Sequence, residues 1–130
     1  MAARHLSVAV ACSFDRANAF LGDPANMPLW AEGLGGDFAQ VDGEVWAVST
    51  PYGRMEVRFT PPNPYGVIDH ALLPEDGPAM YNPLRVVPNG EGCEVTFTLF
   101  RRDGMTGAEV EADAAAVERD LRKLKALLKG

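Results

Sequence analysis

The feature that most constrains the fold is one long amphipathic helix pattern, which follows a region rich in strand and turn signals. Apolar residues recur every three or four positions, which places them on one face of a helix. They are Val110, Ala114, Val117, Leu121, Leu124 and Leu128. Thr106 and Glu109 have the spacing of a capping box, which satisfies free amides at a helix start. The sequence therefore predicts a helix over residues 106–129, whose apolar face must be covered by the rest of the chain.

Strand-like segments separated by turn signals precede this helix. Asp42-Gly43 and Asn89-Gly90 are typical of hairpins, and clusters of proline and glycine mark the other turns. The segments are residues 37–41, 44–49, 54–60, 67–73, 79–87 and 93–101, and alternation of apolar residues predicts an earlier strand over 6–12. Short helices are predicted from Phe14 to Leu21, ended by Gly22, and from Pro24 to Leu34, ended by Gly35-Gly36. We therefore expect an α+β fold, in which the last helix covers one face of an antiparallel sheet of about seven strands.

Length, charge and cysteine content narrow the class of protein. A chain of 130 residues is expected to form one domain over 1–130. Its net charge of −6 argues against nucleic-acid binding, and no apolar run reaches the roughly 18–20 residues of a membrane span. The N-terminus alternates like a strand and does not resemble a secretion signal, so a cytoplasmic location is expected. No metal or cofactor is expected, because no His/Cys pair has ligand spacing.

The two cysteines are expected to be reduced thiols in such a protein. Cys12 continues the apolar face of the first strand, so it is expected to be buried. Cys93 follows a glycine turn and is expected to be more accessible. Cys12 is a poor candidate for a nucleophile, because a thiol on an apolar strand stays protonated.

The order of these elements and four stretches of sequence carry a resemblance to a known superfamily. The stretches are the opening strand with the helix at 14–21, residues 23–30, residues 89–100 and residues 120–125. Together they resemble the SRPBCC, or START-like helix-grip, superfamily of polyketide cyclase/dehydrases, coenzyme Q-binding proteins and the birch-pollen allergen. The resemblance implies a curved sheet that grips the long helix, with a cavity for an apolar ligand between them. It also implies a small cavity, since the chain is short for the group, but it transfers no reaction.

Turn positions predict which residues face that cavity. The predicted pairings place Ala39 opposite Trp46 and form one layer across the sheet, namely Trp46, Val57, His70, Asn82 and Leu99. The predicted walls of the ligand site are Trp30, Trp46, Met55, Val57, Met80, Phe97 and Val117, with His70 and Asn82 as polar anchors. We expect His70 and Asn82 to lie side by side at the wall of the largest internal cavity.

Three interpretations of these two polar residues remain open. His70 and Asn82 could bond each other and serve only the fold, they could polarise a ligand carbonyl or hydroxyl, or His70 could act as a general base. Asp113, on the shoulder of the apolar stripe, either complements the helix dipole or turns inward to orient His70. Trp30 is either an ordinary core anchor or, with neighbouring apolar residues, a lid. Tyr52 is interpreted as a turn residue that covers the rim.

Three functions follow from these interpretations. The leading one is a small intracellular protein that binds an apolar or aromatic molecule, a lipid included, between the sheet and the last helix. The second is a polyketide cyclase/dehydrase-like enzyme in which His70 is the catalytic acid/base and Asp113 its partner. The third is a partner-binding module with a closed cavity. A homodimer is compatible with each of them.

Overall fold

The computed structural model describes residues 2–32, 37–50 and 53–129. Within these residues the helices are α1 (Phe14–Gly22), a 3₁₀ helix (Pro24–Leu29) and α2 (Gly107–Leu127). The strands are β1 (Ala3–Val10), β2 (Ala39–Asp42), β3 (Val45–Thr50), β4 (Gly53–Phe59), β5 (His70–Pro74), β6 (Met80–Asn82), β7 (Leu84–Asn89) and β8 (Gly92–Phe100). The predicted α+β class is confirmed. The predicted turns at Gly35-Gly36 and at Pro51-Tyr52 lie outside the described residues, as does Leu34.

The strands form two antiparallel ladders that meet in one curved sheet region. One ladder has the order β1-β8-β7 and the other β2-β3-β4-β5-β6. Residues 66–68 connect them, because the Ile68 amide donates to the Leu84 carbonyl (2.8 Å) and the Val86 amide donates to the Gly66 carbonyl (2.9 Å). The chain therefore pairs first with β7 and then, from His70 onward, with β6.

The predicted strand over residues 79–87 is two strands, β6 and β7, so the described residues contain eight strands where about seven were expected. The break falls at Pro83, which has no amide hydrogen to donate to a neighbouring strand. Its carbonyl accepts from the Thr98 amide at 3.0 Å, so the chain stays attached to β8 while it changes partner.

Strand register agrees with the prediction at two hairpins and differs at two. The pairings of Trp46 with Val57 and of His70 with Asn82 are confirmed. Val57 pairs with Leu72 instead of His70, a shift of two residues that leaves every side chain on its predicted face. Ala39 pairs with Ala47, not Trp46, because β2 carries a bulge next to its turn.

Helix α2 packs its apolar stripe against the sheet. Its capping box is present, since Thr106 Oγ1 accepts from the Glu109 amide (3.1 Å) and Glu109 Oε1 accepts from the Thr106 amide (3.0 Å). Arg4 of β1 forms an ion pair with Glu111 at 2.7 Å. The stripe residues buried below about a tenth of their surface are Ala114, Leu121, Leu124 and Leu128. No helix of the described residues could span a membrane.

The two cysteines are free and both are buried. Burial of Cys12 is confirmed, but the expected accessibility of Cys93 is wrong, since its exposed fraction is 1%. Cys93 lies within β8, paired with Val10 on one side and Pro88 on the other, so the nearby glycine turn does not expose it. Burial and the neighbouring Cys12 thiol raise the pKa of Cys93 to about 11.

We therefore expect Cys93 to resist thiol reagents in the native protein. A thiol with a pKa near 11 is about 0.1% ionised at pH 8, and the thiolate is the reactive form. Titration with a chromogenic disulfide should release the coloured thiolate slowly from the native protein. In denaturant it should release two equivalents rapidly, one for each cysteine. Rapid reaction of the native protein would contradict the burial of both thiols.

Candidate functional site: a pocket between the sheet and helix α2

A mostly apolar pocket of about 190 Å³ lies between the inward face of the sheet and α2. Its lining residues come from the 3₁₀ helix and its end, from four strands, and from one face of α2. They are Met27, Trp30, Ala31, Met55, His70, Leu72, Asn82, Phe97, Val117 and Asp120. The strands place them there because alternate side chains of a strand point to the same face.

The pocket is not the largest depression on the molecule, so that part of the prediction is wrong. Depressions of about 330 and 350 Å³ lie beside α1 and between β1 and α2. Neither contains His70 or Asn82. The pocket under α2 is the candidate site because it joins apolar walls to the only buried histidine in the described part of the chain.

Most predicted wall residues line this pocket and three do not. Those that do are Trp30, Met55, His70, Asn82, Phe97 and Val117. Val57 is fully buried in the core, and Trp46 stacks on Phe38 with ring centroids 5.0 Å apart. Met80 lines a separate depression of about 80 Å³ near Phe100. The ligand-binding roles of all these residues remain predictions.

His70 is the buried polar group at the centre of the wall. Its exposed fraction is 4%, and its ring lies 5.9 Å from that of Phe59 and 6.4 Å from that of Phe97, measured between centroids. Nδ1 lies 3.4 Å from the Ile68 carbonyl oxygen. Because a carbonyl only accepts, we assign the proton of the neutral ring to Nδ1, which leaves Nε2 as an acceptor. Within the described residues Nε2 has no hydrogen-bond partner.

Burial determines the charge state of His70. Desolvation lowers the pKa of the imidazole, and it outweighs the opposite effects of the Ile68 carbonyl and the Asp69 carboxylate. The ring is therefore neutral at physiological pH.

We expect nitrogen-15 NMR to show a neutral His70 imidazole with its proton on Nδ1 at pH 6.5. A free histidine is about half protonated at this pH, so the difference is large enough to observe. A charged ring, or a neutral ring protonated on Nε2, would contradict the assignment.

Asn82 lies opposite His70 on β6, as predicted, but the two side chains are not hydrogen-bonded to each other. The interpretation in which the pair bond each other is therefore wrong. His70 uses a carbonyl of its own strand region instead, and the Asn82 amide has no protein partner within the described residues. Asn82 lines the pocket, and its side-chain amide can still donate and accept hydrogen bonds.

Asp113 is not next to His70, so its predicted role as the orienting carboxylate finds no support in the geometry. Its side chain is 44% exposed and lies 3.7 Å from Arg102. A nearby cation at the surface, rather than the imidazole, is the partner of this carboxylate. Its alternative interpretation, a charge that complements the helix dipole near the start of α2, fits this position.

The carboxylate that does line the pocket is Asp120, which sequence reasoning missed. It lies seven residues after Asp113, two helical turns along the same shoulder of α2. Asp120 Oδ1 accepts from the Glu32 amide at 3.4 Å. Burial raises the pKa of this carboxyl, although the Glu32 amide and Arg119 act in the opposite direction. The sequence signal that could have identified Asp120 is its position three residues after Val117, at the margin of the apolar stripe of α2.

Trp30 is a lining residue of the pocket. It is 5% exposed and packs in the core, as does Met27, so the core-anchor interpretation holds and the residue also lines the pocket. Leu29 is 51% exposed and lies outside it. The Asp23 carboxylate accepts from the Ala25 amide at 3.0 Å and begins the 3₁₀ helix that carries these residues. Tyr52 lies outside the described residues.

A second buried polar group, Asp69, lies on the opposite face of the same strand region and was also missed. Its carboxylate accepts from Arg85 Nε (2.8 Å) and Nη2 (2.7 Å), from the Tyr81 hydroxyl (2.8 Å) and from the Leu84 amide (3.0 Å). Burial raises the pKa of Asp69, but these hydrogen bonds outweigh it and hold the pKa below its ordinary value. The cluster lies where the chain changes partner from β7 to β6.

Comparison with known proteins establishes the architecture. No protein-family model and no curated protein matches the chain. XoxI from Bacillus cereus is similar in structure, with a TM-score of 0.77 and 14% identity over 98% of this chain and 96% of that protein. The Aha1 dimer from Colwellia psychrerythraea has a TM-score of 0.74 and 14% identity, over 99% and 97% of the two chains.

A third similar structure is DynU16, a protein in the dynemicin biosynthetic locus. Its TM-score is 0.73 at 17% identity, and the match covers 97% of this chain but 46% of DynU16. Identities this low show that the fold is shared, but they do not show that the activity is shared. The chain therefore has the α+β architecture of these proteins.

Proposed function

We propose that this protein is a member of the SRPBCC helix-grip superfamily that binds a small apolar or aromatic molecule in the pocket under α2. The observation that carries the proposal is the buried His70 ring, whose Nε2 acceptor has no protein partner within the described residues. Nε2 is not fully buried, because Asn18 Oδ1 is the only fully buried side-chain nitrogen or oxygen without a partner among the described residues. A ligand that donates a hydrogen bond to this accessible acceptor would gain about 0.5–1.5 kcal/mol.

The pocket lining supports the same proposal. Binding sites for small molecules are concave, mostly apolar and equipped with a few polar groups that fix orientation. Here the apolar residues include Met55, Leu72 and Phe97, and the polar ones are His70, Asn82 and Asp120. An open pocket also favours ligand binding over the alternative of a partner-binding module with a closed cavity.

The neighbours add support of a more general kind. DynU16 belongs to a biosynthetic locus, which favours small-molecule binding or cyclase-like chemistry for this architecture. The Aha1 neighbour is a dimer, which is compatible with a homodimer of this chain.

Native mass spectrometry of the purified protein, compared with a pocket-filling variant, tests the proposal. Val117 is half-buried on α2 and lines the pocket, so Val117→Phe should fill it. A co-purified small molecule should be present on the wild-type protein and absent from this variant. Ala112→Phe is the matched control, because Ala112 is exposed on the same helix. Retention of the molecule by Val117→Phe would place its site elsewhere.

A second candidate function is acid/base catalysis of the cyclase/dehydrase type, now with Asp120 in place of Asp113. One observation favours it: the pocket holds two titratable groups, and burial lowers the pKa of His70 and raises that of Asp120. Such opposed shifts bring an imidazole and a carboxyl closer to the pH range in which both exchange protons. Aldol closure and dehydration both begin with removal of a proton next to a carbonyl, which the free Nε2 acceptor can accept.

Deuterium exchange tests the catalytic candidate without knowledge of the substrate. Acetophenone in D₂O exchanges its methyl protons through the enol, and a general base in the pocket should accelerate this exchange above that in buffer. The proton passes from the methyl carbon to His70 Nε2, and a deuteron from solvent replaces it. Equal rates with wild-type protein and with His70→Leu would exclude the role of His70 as a base for this ligand.

A further inference from the structure

The volume of the pocket matches about one aromatic ring. A cavity of about 150 Å³ accommodates benzene, and sites for drug-sized ligands are about 300–1,000 Å³. The pocket has about 190 Å³, room for a single ring with one or two small substituents. An acyl chain, a prenylated quinone or a multi-ring polyketide would extend beyond the pocket and leave apolar surface in contact with water.

The polar lining is composed mainly of acceptors. His70 presents Nε2, since Nδ1 is engaged with the Ile68 carbonyl. Asp120 presents a partly desolvated carboxylate whose Oδ1 already accepts from the Glu32 amide. Asn82 can donate or accept, and no lysine or arginine lines the pocket within the described residues.

Two cations on the same helix as Asp120, Arg119 and Lys123, form ion pairs with Glu32 and do not line the pocket. Arg119 lies 3.6 Å and Lys123 lies 3.4 Å from carboxylate oxygens of Glu32. Both cations lower the pKa of Asp120 from outside, whereas the pocket lining within the described residues holds this carboxylate and no cation. Such an environment disfavours a ligand anion and favours a neutral ligand with hydrogen-bond donors.

We propose that the pocket selects a single aromatic ring bearing a hydroxyl or amino donor, with the donor bonded to His70 Nε2 and with Asp120 excluding ring carboxylates. This inference rests on the proposed function, because it names the class of ligand for the same site. It also assigns Asp120 a role in specificity that differs from that of His70.

Four probes separate the effects of ligand size, of a hydrogen-bond donor and of ligand charge on affinity. Each is titrated into the protein at pH 8, and the amide NMR shifts report binding. Phenol has the ring and the donor, toluene has the same size without a donor, benzoate has a charge, and 1-decanol has a donor on a long chain. We expect phenol to bind about tenfold more tightly than toluene, in line with about 1.4 kcal/mol for one hydrogen bond. Benzoate and 1-decanol should bind more weakly than phenol.

Two variants assign the roles. His70→Leu should reduce phenol affinity about tenfold, to that of toluene, and leave toluene within about twofold. Asp120→Asn keeps an oxygen for the Glu32 amide and should raise benzoate affinity about tenfold while phenol changes less. Glu118→Gln removes a carboxylate from the same helix outside the pocket, so it should change none of these affinities. Because Asp120 is only partly buried, its variant should fold even if His70→Leu does not.

The possible outcomes distinguish this inference from the proposed function. If toluene binds as tightly as phenol, the pocket binds ligands but the donor rule is wrong. If 1-decanol binds more tightly than phenol, the preference for a single ring is wrong. If Asp120→Asn leaves benzoate rejected, the role of Asp120 is wrong. If no probe shifts the amides around the pocket, and native mass spectrometry also finds no ligand, both the inference and the proposed function are overturned.

Discussion

Leu124→Ala is expected to lower the free energy of unfolding by about 2–5 kcal/mol. The Leu124 side chain is completely buried where α2 packs on the sheet. Its truncation removes apolar contact area and leaves a cavity that a close-packed interior fills only in part. Urea denaturation followed by circular dichroism measures the change.

Leu127→Ala is the matched control for this experiment. Leu127 lies on the same helix three residues later, but its exposed fraction is 43%. The same deletion there removes little buried area, and we expect a loss below about 1 kcal/mol. A loss under about 0.5 kcal/mol for Leu124→Ala would mean that the apolar stripe of α2 does not form the core.

Helix α2 shows how much of this fold local sequence can predict. Its capping box and its apolar spacing are both short-range signals, and they placed the helix to within two residues at each end. The inward faces of the strands were predictable for the same reason, because alternation is a local property. Met55, Val57 and Phe59 lie inward as predicted, and Arg58 is exposed.

Pairing across long loops was harder to predict, because it depends on contacts outside the hairpin. The loop between β4 and β5 places Val57 opposite Leu72, since residues 66–68 leave the hairpin and pair with β7. Asn63 holds this loop, as its Oδ1 accepts from the amides of Tyr65 (2.9 Å) and Val67 (3.3 Å). No turn motif of two residues signals such an arrangement.

The candidate site was predictable where it depended on strand faces and unpredictable where it depended on helix position. His70 and Asn82 are neighbours at the pocket because the turn near Asp76 determines their pairing. Asp113 and Asp120 occupy equivalent shoulders of α2, so helical periodicity alone could not distinguish them. Only the placement of α2 along the sheet brings Asp120 to the pocket and leaves Asp113 beside Arg102.

Asp69→Asn is the second substitution with a large expected effect, a loss of about 2–3 kcal/mol in the free energy of unfolding. The carboxylate is 5% exposed and accepts four hydrogen bonds, two of them from the Arg85 guanidinium. An asparagine of the same size keeps one oxygen and presents an amide group to donors. The loss is limited because the Arg85 side chain is 54% exposed, so its charge stays solvated when its partner is neutral.

The stabilising effect of Asp69 should depend on pH in a defined direction. Its pKa in the folded protein lies below the ordinary value of 3.8. A carboxyl with a depressed folded pKa contributes stability that is fully present above the unfolded pKa and is lost as pH falls through the folded pKa. The stability difference between the wild-type protein and Asp69→Asn should therefore be full at pH 7 and shrink below about pH 4.

Glu56→Gln separates this effect from the loss of any surface ion pair. Glu56 lies 3.0 Å from Arg54 on β4, with 35% of its side chain exposed, and such pairs contribute about 0–1 kcal/mol. If Asp69→Asn costs no more than Glu56→Gln at pH 7, the cluster does not hold the two ladders together. Asp69→Asn should instead cost more than Glu56→Gln, and it should also move the amide shifts around His70. That result would mean that the Asp69 cluster on the outer face of the sheet also positions the His70 imidazole on the inner face. His70 and Asp69 are consecutive on one strand region, so a carboxylate fixed outside constrains the register that places the ring inside.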